Sequence, residues 1–320
     1  MAGSAETAPG PRPRRRVLAL ASLLGGGTLL IALLISQRSR PPLESSLARP
    51  FQLLGTPVQL VDRLASRVIP VNDIDEQSLG DVYRHRYEAQ LIPGDPTQAY
   101  LDRLMSLQLR SHARRPFPYR AFRIGRIGAP NAMALPGGVI LISDEMLDLV
   151  GSEAELMAVL AHEMGHVELG HCFDRVRFAL LLQRSGAGTL GEIADAAINV
   201  LLQQSYSKTA ENEADDYSYG LLLSSPYDPA ALGRLFTAFN TLRRDPGEQH
   251  ADPLRDYLIS HPPGPIREAE FLQRARSWWT RNRTSRRYRG RSNLQERRPL
   301  PILDDPREWT MATSPVQAAR

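Results

Sequence analysis

Two histidines separated by three residues, His162 and His166, enclose a glutamate, Glu163, in a segment with helical periodicity. Residues four apart lie on one face of an α-helix, so both imidazole rings can reach one metal ion. The glutamate beside the first histidine then points at a water on that metal. Two ligands, a general base and an open coordination position are what a zinc hydrolase requires. The pattern therefore predicts metal-assisted hydrolysis.

A zinc hydrolase also needs a third protein ligand, and the spacing of the histidines narrows the choice. His171 follows His166 by five residues rather than the six of the metzincin pattern, which this chain therefore does not follow. Two carboxylates remain as candidates, Glu192 and Glu211. Glu211 and Asp215 are four residues apart and share a helical face, so one could bind the metal while the other orients a histidine.

The elements that must position these residues are mainly helices. Ser143 and Ser152 have the side chains of N-caps, and the second of them opens the helix that carries the two histidines. Residues 178–204 are apolar but contain charges and glycines, which favours a buried helical hairpin or a membrane-surface segment over a bilayer span. Periodicity predicts further helices, so that the full set covers residues 75–90, 97–109, 153–173, 209–223 and 228–243.

Two β-strands are predicted before the motif helix. Residues 117–127 alternate and contain aromatic and β-branched side chains. Residues 133–142 form a second strand that Pro136, Gly137 and Gly138 interrupt. Proline cannot donate a hydrogen bond to a ladder, so this strand is expected at the edge of a sheet.

The basic excess of the chain is concentrated near its C-terminus. Lysine plus arginine number 39 against 35 acids, for a net charge of +4, and eight arginines with no acid lie between residues 274 and 291. Without that run the chain is mildly acidic. The run itself would suit nucleic-acid binding, but no nucleic acid is expected, because the tail is predicted to lie outside the cytoplasm. Arginines next to Trp278 and Trp279 also suit an anionic membrane surface. The single cysteine, Cys172, excludes an intramolecular disulfide.

Residues 17–36 form an uncharged apolar run long enough to cross a bilayer. Four arginines precede it and two follow it closely, so the positive-inside rule puts the N-terminus in the cytoplasm and the remainder outside. A cleaved signal peptide is the alternative, but no small-x-small cleavage site follows the run. An uncleaved signal anchor is the prediction.

Four blocks of this sequence carry a family resemblance. They are Asn-Ala-Met-Ala-Leu-Pro-Gly-Gly at 131–138, the motif continuing to His171, Tyr-Ser-Lys-Thr-Ala-Glu-Asn-Glu-Ala-Asp at 206–215, and Ser-His-Pro-Pro-Gly-Pro-Ile-Arg at 260–267. In this order they resemble the gluzincin-type zinc endopeptidase family that contains HtpX, the CAAX prenyl endopeptidase and the periplasmic peptidase BepA. The resemblance covers residues 70–275. Lys208 stands where that family usually has arginine.

The resemblance implies roles for individual residues. His162, His166 and Glu211 would bind one zinc ion per subunit, in preference to Glu192. Glu163 would take a proton from the zinc-bound water and return it to the leaving amine. Asp215, Arg267 and His171 would lie behind the ligands, and His261 would approach the metal to stabilise the oxyanion or to block the open position. The edge strand would pair with an extended substrate through Ala134, Leu135, Pro136, Gly137 and Gly138.

These expectations combine into one prediction of fold and function. The fold class is α+β, a mainly helical zincin-like metallopeptidase domain with a small edge-stranded sheet, preceded by one transmembrane helix. The domains are a cytoplasmic N-terminus 1–16, an anchor 17–36, a linker 37–70, the metallopeptidase domain 71–275 and a flexible arginine-rich tail 276–320. The predicted protein is a single-pass metalloendopeptidase of the bacterial inner membrane, facing the periplasm, that cuts misfolded or envelope polypeptides. The alternative is a client-binding chaperone or assembly factor whose zinc site is autoinhibited or structural.

Overall fold

Helices dominate the part of the chain that the computed structural model describes, residues 73–184, 189–203, 205–244, 261, 264–300 and 302–311. With its small sheets, this composition agrees with the predicted α+β class. The predicted span at residues 17–36 lies outside the described residues. Among those described, no helix is long and apolar enough to cross a bilayer.

The helices are α1 (Asp73–Glu88), α2 (Pro96–Leu104, continued by a π-turn at Met105–Leu109), α3 (Asp144–Leu149), α4 (Glu153–Glu168), α5 (His171–Arg184), α6 (Leu190–Gln203), α7 (Lys208–Ser224), α8 (Ala231–Arg244), α9 (Pro265–Arg281) and α10 (Arg291–Glu296).

A three-stranded sheet lies beside the motif helix. Its strands are β1 (Arg120–Arg123), β2 (Ala132–Leu135) and β3 (Val139–Ile142), in the order β1-β3-β2. β3 is parallel to β1 and antiparallel to β2. The prediction of one interrupted strand over 133–142 is therefore wrong, because the chain reverses at residues 136–138 and makes two strands. Of these two strands, β2 with Ala134 and Leu135 lies at an edge of the sheet and β3 lies in the centre. β1, at the other edge, is shorter than predicted.

The reversal depends on glycine. Gly137 and Gly138 have φ values of 76° and 85°, a region that side-chain-bearing residues avoid. A Cβ on Gly137 would also lie 2.6 Å from the Cα of Gly80 in α1. Gly137 is bonded on both sides, since its N–H donates to Glu76 (3.3 Å) and its carbonyl accepts from Arg84 (3.2 Å). The predicted interruption of a strand is thus a turn that α1 holds in place.

The motif helix α4 forms the centre of the core. All residues from Glu153 to Val167 are buried, as expected for a helix with neighbours on every side. Ser152 caps its start, as predicted, by accepting from the N–H of Glu155. The helix ends at Glu168 and not at residue 173, because Gly170 adopts a φ of 76° and the chain turns. His171 therefore begins a new helix and can return toward the site.

The hairpin predicted over residues 178–204 is present as α5 and α6, which pack on each other. Ile193, Ala194 and Ala197 of α6 are buried. The predictions of a helix near 75–90, of helical structure over 97–109 and of helices near 209–223 and 228–243 are also confirmed, with small shifts of their ends.

The described residues after 275, which were predicted to form a flexible tail, contain regular secondary structure. Helix α9 runs across the boundary to Arg281, and β4 (Arg286–Tyr288) then pairs antiparallel with β5 (Trp309–Met311). Tyr288 is fully buried, and its backbone bonds to Pro226 and Asp228. Residues 312–320 lie outside the described residues. The arginine-rich segment is part of the folded domain.

This C-terminal segment holds the start of the motif helix. The N–H groups of Glu153 and Ala154, which the helix itself leaves unpaired, donate to the carbonyls of Gly290 and Arg289 at 2.9 and 3.0 Å. The buried Glu153 carboxylate accepts from the hydroxyls of Tyr100 and Tyr227, both at 2.7 Å, and from the N–H of Leu300 at 2.9 Å. One carboxylate therefore joins α2, α4 and two later loops.

The stability of this junction is expected to depend on pH. Burial raises the pKa of Glu153 from its ordinary value of 4.5, although its three hydrogen bonds oppose the shift. A carboxyl group whose pKa is raised by folding adds its full contribution to the free energy of unfolding below pH 4.5. That contribution falls by up to about 1.4 kcal/mol per pH unit as the pH rises through the pKa of the folded state. The Tm advantage of the wild type over Glu153→Gln should shrink from pH 4.5 toward 7. A gap that stays constant or widens contradicts this.

Candidate metal site

The candidate site lies between α4 and α7, which pack closely along their lengths. Gly165 permits the approach, since a Cβ there would lie 3.1 Å from the Cβ of Tyr217. His162 and His166 project from α4, and Glu211 from α7. Ser207 caps α7 by accepting from the N–H of Ala210, which fixes where the first turn with Glu211 begins.

Four side chains converge in this space: His162, His166, Glu211 and His261. All four are buried, and one ligand atom from each lies within 4.8 Å of the others. The Nε2 atoms of His162 and His166 are 3.1 Å apart. Glu211 Oε1 lies 3.4 Å from His166 Nε2 and 2.8 Å from His261 Nδ1. Such a group of nitrogen and oxygen donors could hold a metal ion.

Asp215 sets the tautomer of His162. Its Oδ1 lies 3.0 Å from Nδ1 of His162, so in the neutral ring Nδ1 carries the hydrogen and the lone pair of Nε2 faces the cluster. Burial alone would lower the pKa of His162, but the Asp215 bond and the charges of Glu211 and Glu163 raise it. A carboxylate behind a ligand histidine is the usual arrangement at protein metal sites.

A second chain of hydrogen bonds orients His166. His171 Nε2 lies 3.0 Å from Glu213, so it donates there and leaves Nδ1 as an acceptor. The Nδ1–H of His166 then donates to His171 at 3.0 Å, and Nε2 of His166 faces the cluster unprotonated. Burial lowers the pKa of His166 well below its ordinary value. Both α4 histidines thus present lone pairs to the same point.

Arg267 neutralises the carboxylates of α7. Its guanidinium donates two bonds of 2.7 Å to Asp215 and one of 3.1 Å to Glu211. Burial would raise the pKa of Glu211, but His261, His166 and His162 hold it far below its ordinary value. Arg267 also lies over the ring of Phe236, 4.5 Å from its centroid. Both carboxylates are therefore paired with a positive charge and held in fixed positions.

Glu163 connects the cluster to the edge strand. Its Oε2 accepts the N–H of Ala134 in β2 at 2.8 Å. Its Oε1 is buried and has no hydrogen-bond partner among the described residues; the nearest ring nitrogen, Nε2 of His261, lies 3.6 Å away. A buried carboxylate oxygen without a partner is costly, and a water on a bound metal would supply the missing bond. Two imidazoles and one carboxylate, with a water in the fourth position, fit a tetrahedral metal such as zinc.

The structure brings most predicted site residues together but not all of them. Pro136, Gly137 and Gly138, which were predicted to pair with the substrate, lie in the turn that α1 holds. Glu192 lies away from the cluster on α6, where its carboxylate accepts from the N–H and hydroxyl of Thr189. The sequence assigned no role to Tyr206, yet its ring stacks on that of His166, with the centroids 3.9 Å apart. Its position directly before the Glu211 segment was the only sequence signal for it. The residues found in or against the cluster are Ala134, His162, Glu163, His166, His171, Glu211, Asp215, His261 and Arg267.

Several known metalloproteases are similar in sequence to part of this chain. The metalloprotease LoiP of Escherichia coli (strain K12) is 34% identical over 116 residues, which cover 33% of this chain and 46% of LoiP. The metalloprotease YcaL of the same strain is 29% identical over 176 residues, 51% of this chain and 63% of YcaL. The beta-barrel assembly-enhancing protease of Yersinia pestis is 27% identical over 180 residues, 49% of this chain and 36% of that protein. The chain thus spans from about a third to under two thirds of these relatives.

Residues 95–275 match peptidase family M48. The match contains every residue of the cluster and all three strands of the first sheet. It does not include α1 or the segment from β4 to β5, both of which pack on the matched domain. The match covers more than half of the sequence and agrees with the resemblance predicted from its four blocks. On this evidence the chain belongs to peptidase family M48.

Proposed function

We propose that this chain is a zinc-dependent metalloendopeptidase that cuts misfolded or envelope polypeptides. The observation that carries the proposal is the convergence of His162, His166 and Glu211 next to Glu163, whose buried Oε1 has no hydrogen-bond partner among the described residues. Ligand geometry and a positioned base are what peptide hydrolysis needs. We further propose that residues 17–36 anchor the chain in the bacterial inner membrane, with the catalytic domain in the periplasm.

The proposed mechanism assigns a task to each side chain. His162, His166 and Glu211 would hold a zinc ion, which would supply Lewis acidity to a water and to the scissile carbonyl. Glu163 accepts the proton of the attacking water at Oε1 and later gives it to the leaving amine. Asp215 keeps the His162 ring in the tautomer that offers Nε2 to the metal.

The substrate is proposed to be an extended polypeptide that pairs with β2. Ala134 gives its N–H to Glu163 rather than to β3, so this residue faces the free edge of the sheet. In an antiparallel pair the carbonyl of a residue points the same way as its N–H. A peptide added at this edge would therefore lie next to Glu163. Backbone pairing selects extended chains rather than a particular sequence, which suits unfolded clients.

His261 supports the second candidate function, a chaperone or assembly factor with a closed zinc site. Its Nδ1 lies 3.2 Å from Nε2 of His162 and 2.8 Å from Glu211. This ring could thus take the coordination position that a water or a substrate carbonyl needs. A permanently closed site would bind metal without hydrolysing peptides.

Metal analysis together with proteolysis separates the two functions. The full chain is expected to contain about one equivalent of zinc and to degrade a chemically unfolded protein. Chelation should abolish the degradation, and added zinc should restore it. Full activity after the metal is removed would rule out the zinc mechanism. A zinc-loaded protein that binds unfolded clients without cutting them would favour the chaperone.

A further inference from the structure

Tyr206 forms the closest aromatic contact of the candidate site. Its ring lies 3.9 Å from the ring of His166, centroid to centroid, with only 20° between the planes. The centroid of the His261 ring is 5.3 Å away. Tyr206 is half-buried and directly precedes the capping residue of α7, Ser207. Its phenol therefore covers one face of the His166 ring.

The other face of Tyr206 is occupied by Arg175 of α5. The guanidinium carbon of Arg175 lies 4.2 Å from the Tyr206 centroid. Two groups within about 4 Å of one ring centre cannot share a face without overlapping, so Arg175 and His166 lie on opposite sides. The guanidinium of Arg175, the phenol of Tyr206 and the imidazole of His166 therefore form a three-layer stack. Through Arg175, helix α5 contacts the side of the phenol that faces away from His166.

This stack restricts the remaining motion of the His166 ring. The bond from Nδ1 to His171 restrains one edge of the imidazole, but small rotations about χ1 and χ2 would still change the direction of Nε2. A parallel ring at van der Waals distance blocks these rotations. The direction of the Nε2 lone pair, on which metal coordination depends, is then held from two sides.

We propose that Tyr206 is a positioning residue that holds His166 in its metal-binding orientation through ring stacking, with Arg175 supporting it from behind. The proposal rests on the metal-binding role proposed for His166 and adds a residue to which no role has been assigned. The hydroxyl of Tyr206 is not required by this role; the flat ring is.

Metal affinity of the full chain tests the proposal independently of proteolysis. Tyr206→Leu removes the flat ring, whereas Tyr206→Phe keeps it and removes the hydroxyl. Tyr217→Leu is the matched control, because Tyr217 also packs on α4, at Gly165, but its hydroxyl bonds to the carbonyl of His112. Zinc affinity is measured by competition with a chromophoric chelator, and the Co²⁺ absorption spectrum reports ligand geometry.

Tyr206→Leu should weaken zinc binding about 10- to 100-fold, the usual effect of a residue behind a ligand, and alter the Co²⁺ spectrum. Tyr206→Phe and Tyr217→Leu should bind zinc within about twofold of the wild type. The Tm of the metal-free Tyr206→Leu protein tests whether this variant is folded. If it is unfolded, Arg175→Leu replaces it, because this variant keeps the Tyr206 ring and removes only its support. Arg175→Leu should lose zinc affinity, but less than the roughly 10- to 100-fold expected for Tyr206→Leu. Wild-type affinity in Tyr206→Leu, or equal losses in Tyr206→Leu and Tyr206→Phe, would overturn the proposal. A wild type that binds zinc but cuts nothing would contradict the proposed peptidase and leave this inference standing.

Discussion

Glu163→Gln is expected to keep its zinc and to lose about 10²- to 10⁴-fold in kcat/KM against an unfolded substrate. The amide can still accept the N–H of Ala134, so the edge strand and the ligands should stay in place. It cannot accept a proton from water, and in this site no other carboxylate oxygen of the described residues is both buried and without a hydrogen-bond partner. Zinc content, Tm and the rate of proteolysis are the three measurements.

Glu192→Gln is the matched control for this variant. Glu192 is the glutamate that sequence spacing also allowed as a ligand, but its carboxylate accepts from the N–H of Thr189, the residue before α6. Its replacement should leave zinc content and proteolysis unchanged. If Glu163→Gln retains most of the activity, Glu163 is not the general base. If it cuts nothing yet fully complements a deletion strain, the chaperone function gains support over the peptidase.

Local spacing was enough to predict the elements that carry the ligands. His162 and His166 share a helical face, as do Glu211 and Asp215, and each helix has a serine cap. These features involve residues within one turn of each other, which is the range that sequence patterns encode. The same reasoning failed at residue 136, because a proline between apolar residues suits both an interrupted strand and a turn.

Long-range contacts explain what the sequence did not predict. The segment after residue 281 is rich in arginine, a composition typical of flexible chain. Its order comes from partners far away in sequence, such as Glu153, whose N–H and carboxylate bond to Gly290 and Leu300. Tyr206 likewise meets His166 only because α4 and the start of α7 are neighbours. No spacing rule relates residues 40 positions apart.

Arg267→Ala is expected to produce the largest loss of stability among single substitutions at the site. The side chain of Arg267 is 13% exposed, and those of Glu211 and Asp215 are 5% and 1% exposed. Removing one partner of a buried ion pair costs about 3–5 kcal/mol, because the remaining charge is left uncompensated. In a domain of this size that corresponds to a fall in Tm of roughly 6–20 °C.

The fall in Tm caused by Arg267→Ala should be greater in the metal-free protein than in the zinc-loaded one. Bound zinc would provide Glu211 with another cation, so that only Asp215 would depend on the arginine. Arg267→Lys should recover part of the loss, since a single ammonium cannot make the two parallel bonds to Asp215. The control is Arg274→Ala on the same helix: Arg274 pairs with Asp216 of α7 near the surface, at side-chain exposures of 36% and 61%, where such a pair contributes about 0–1 kcal/mol. Equal falls in Tm for Arg267→Ala and Arg274→Ala, or a fall that zinc does not reduce, would show that Arg267 does not hold the charge of the ligand set.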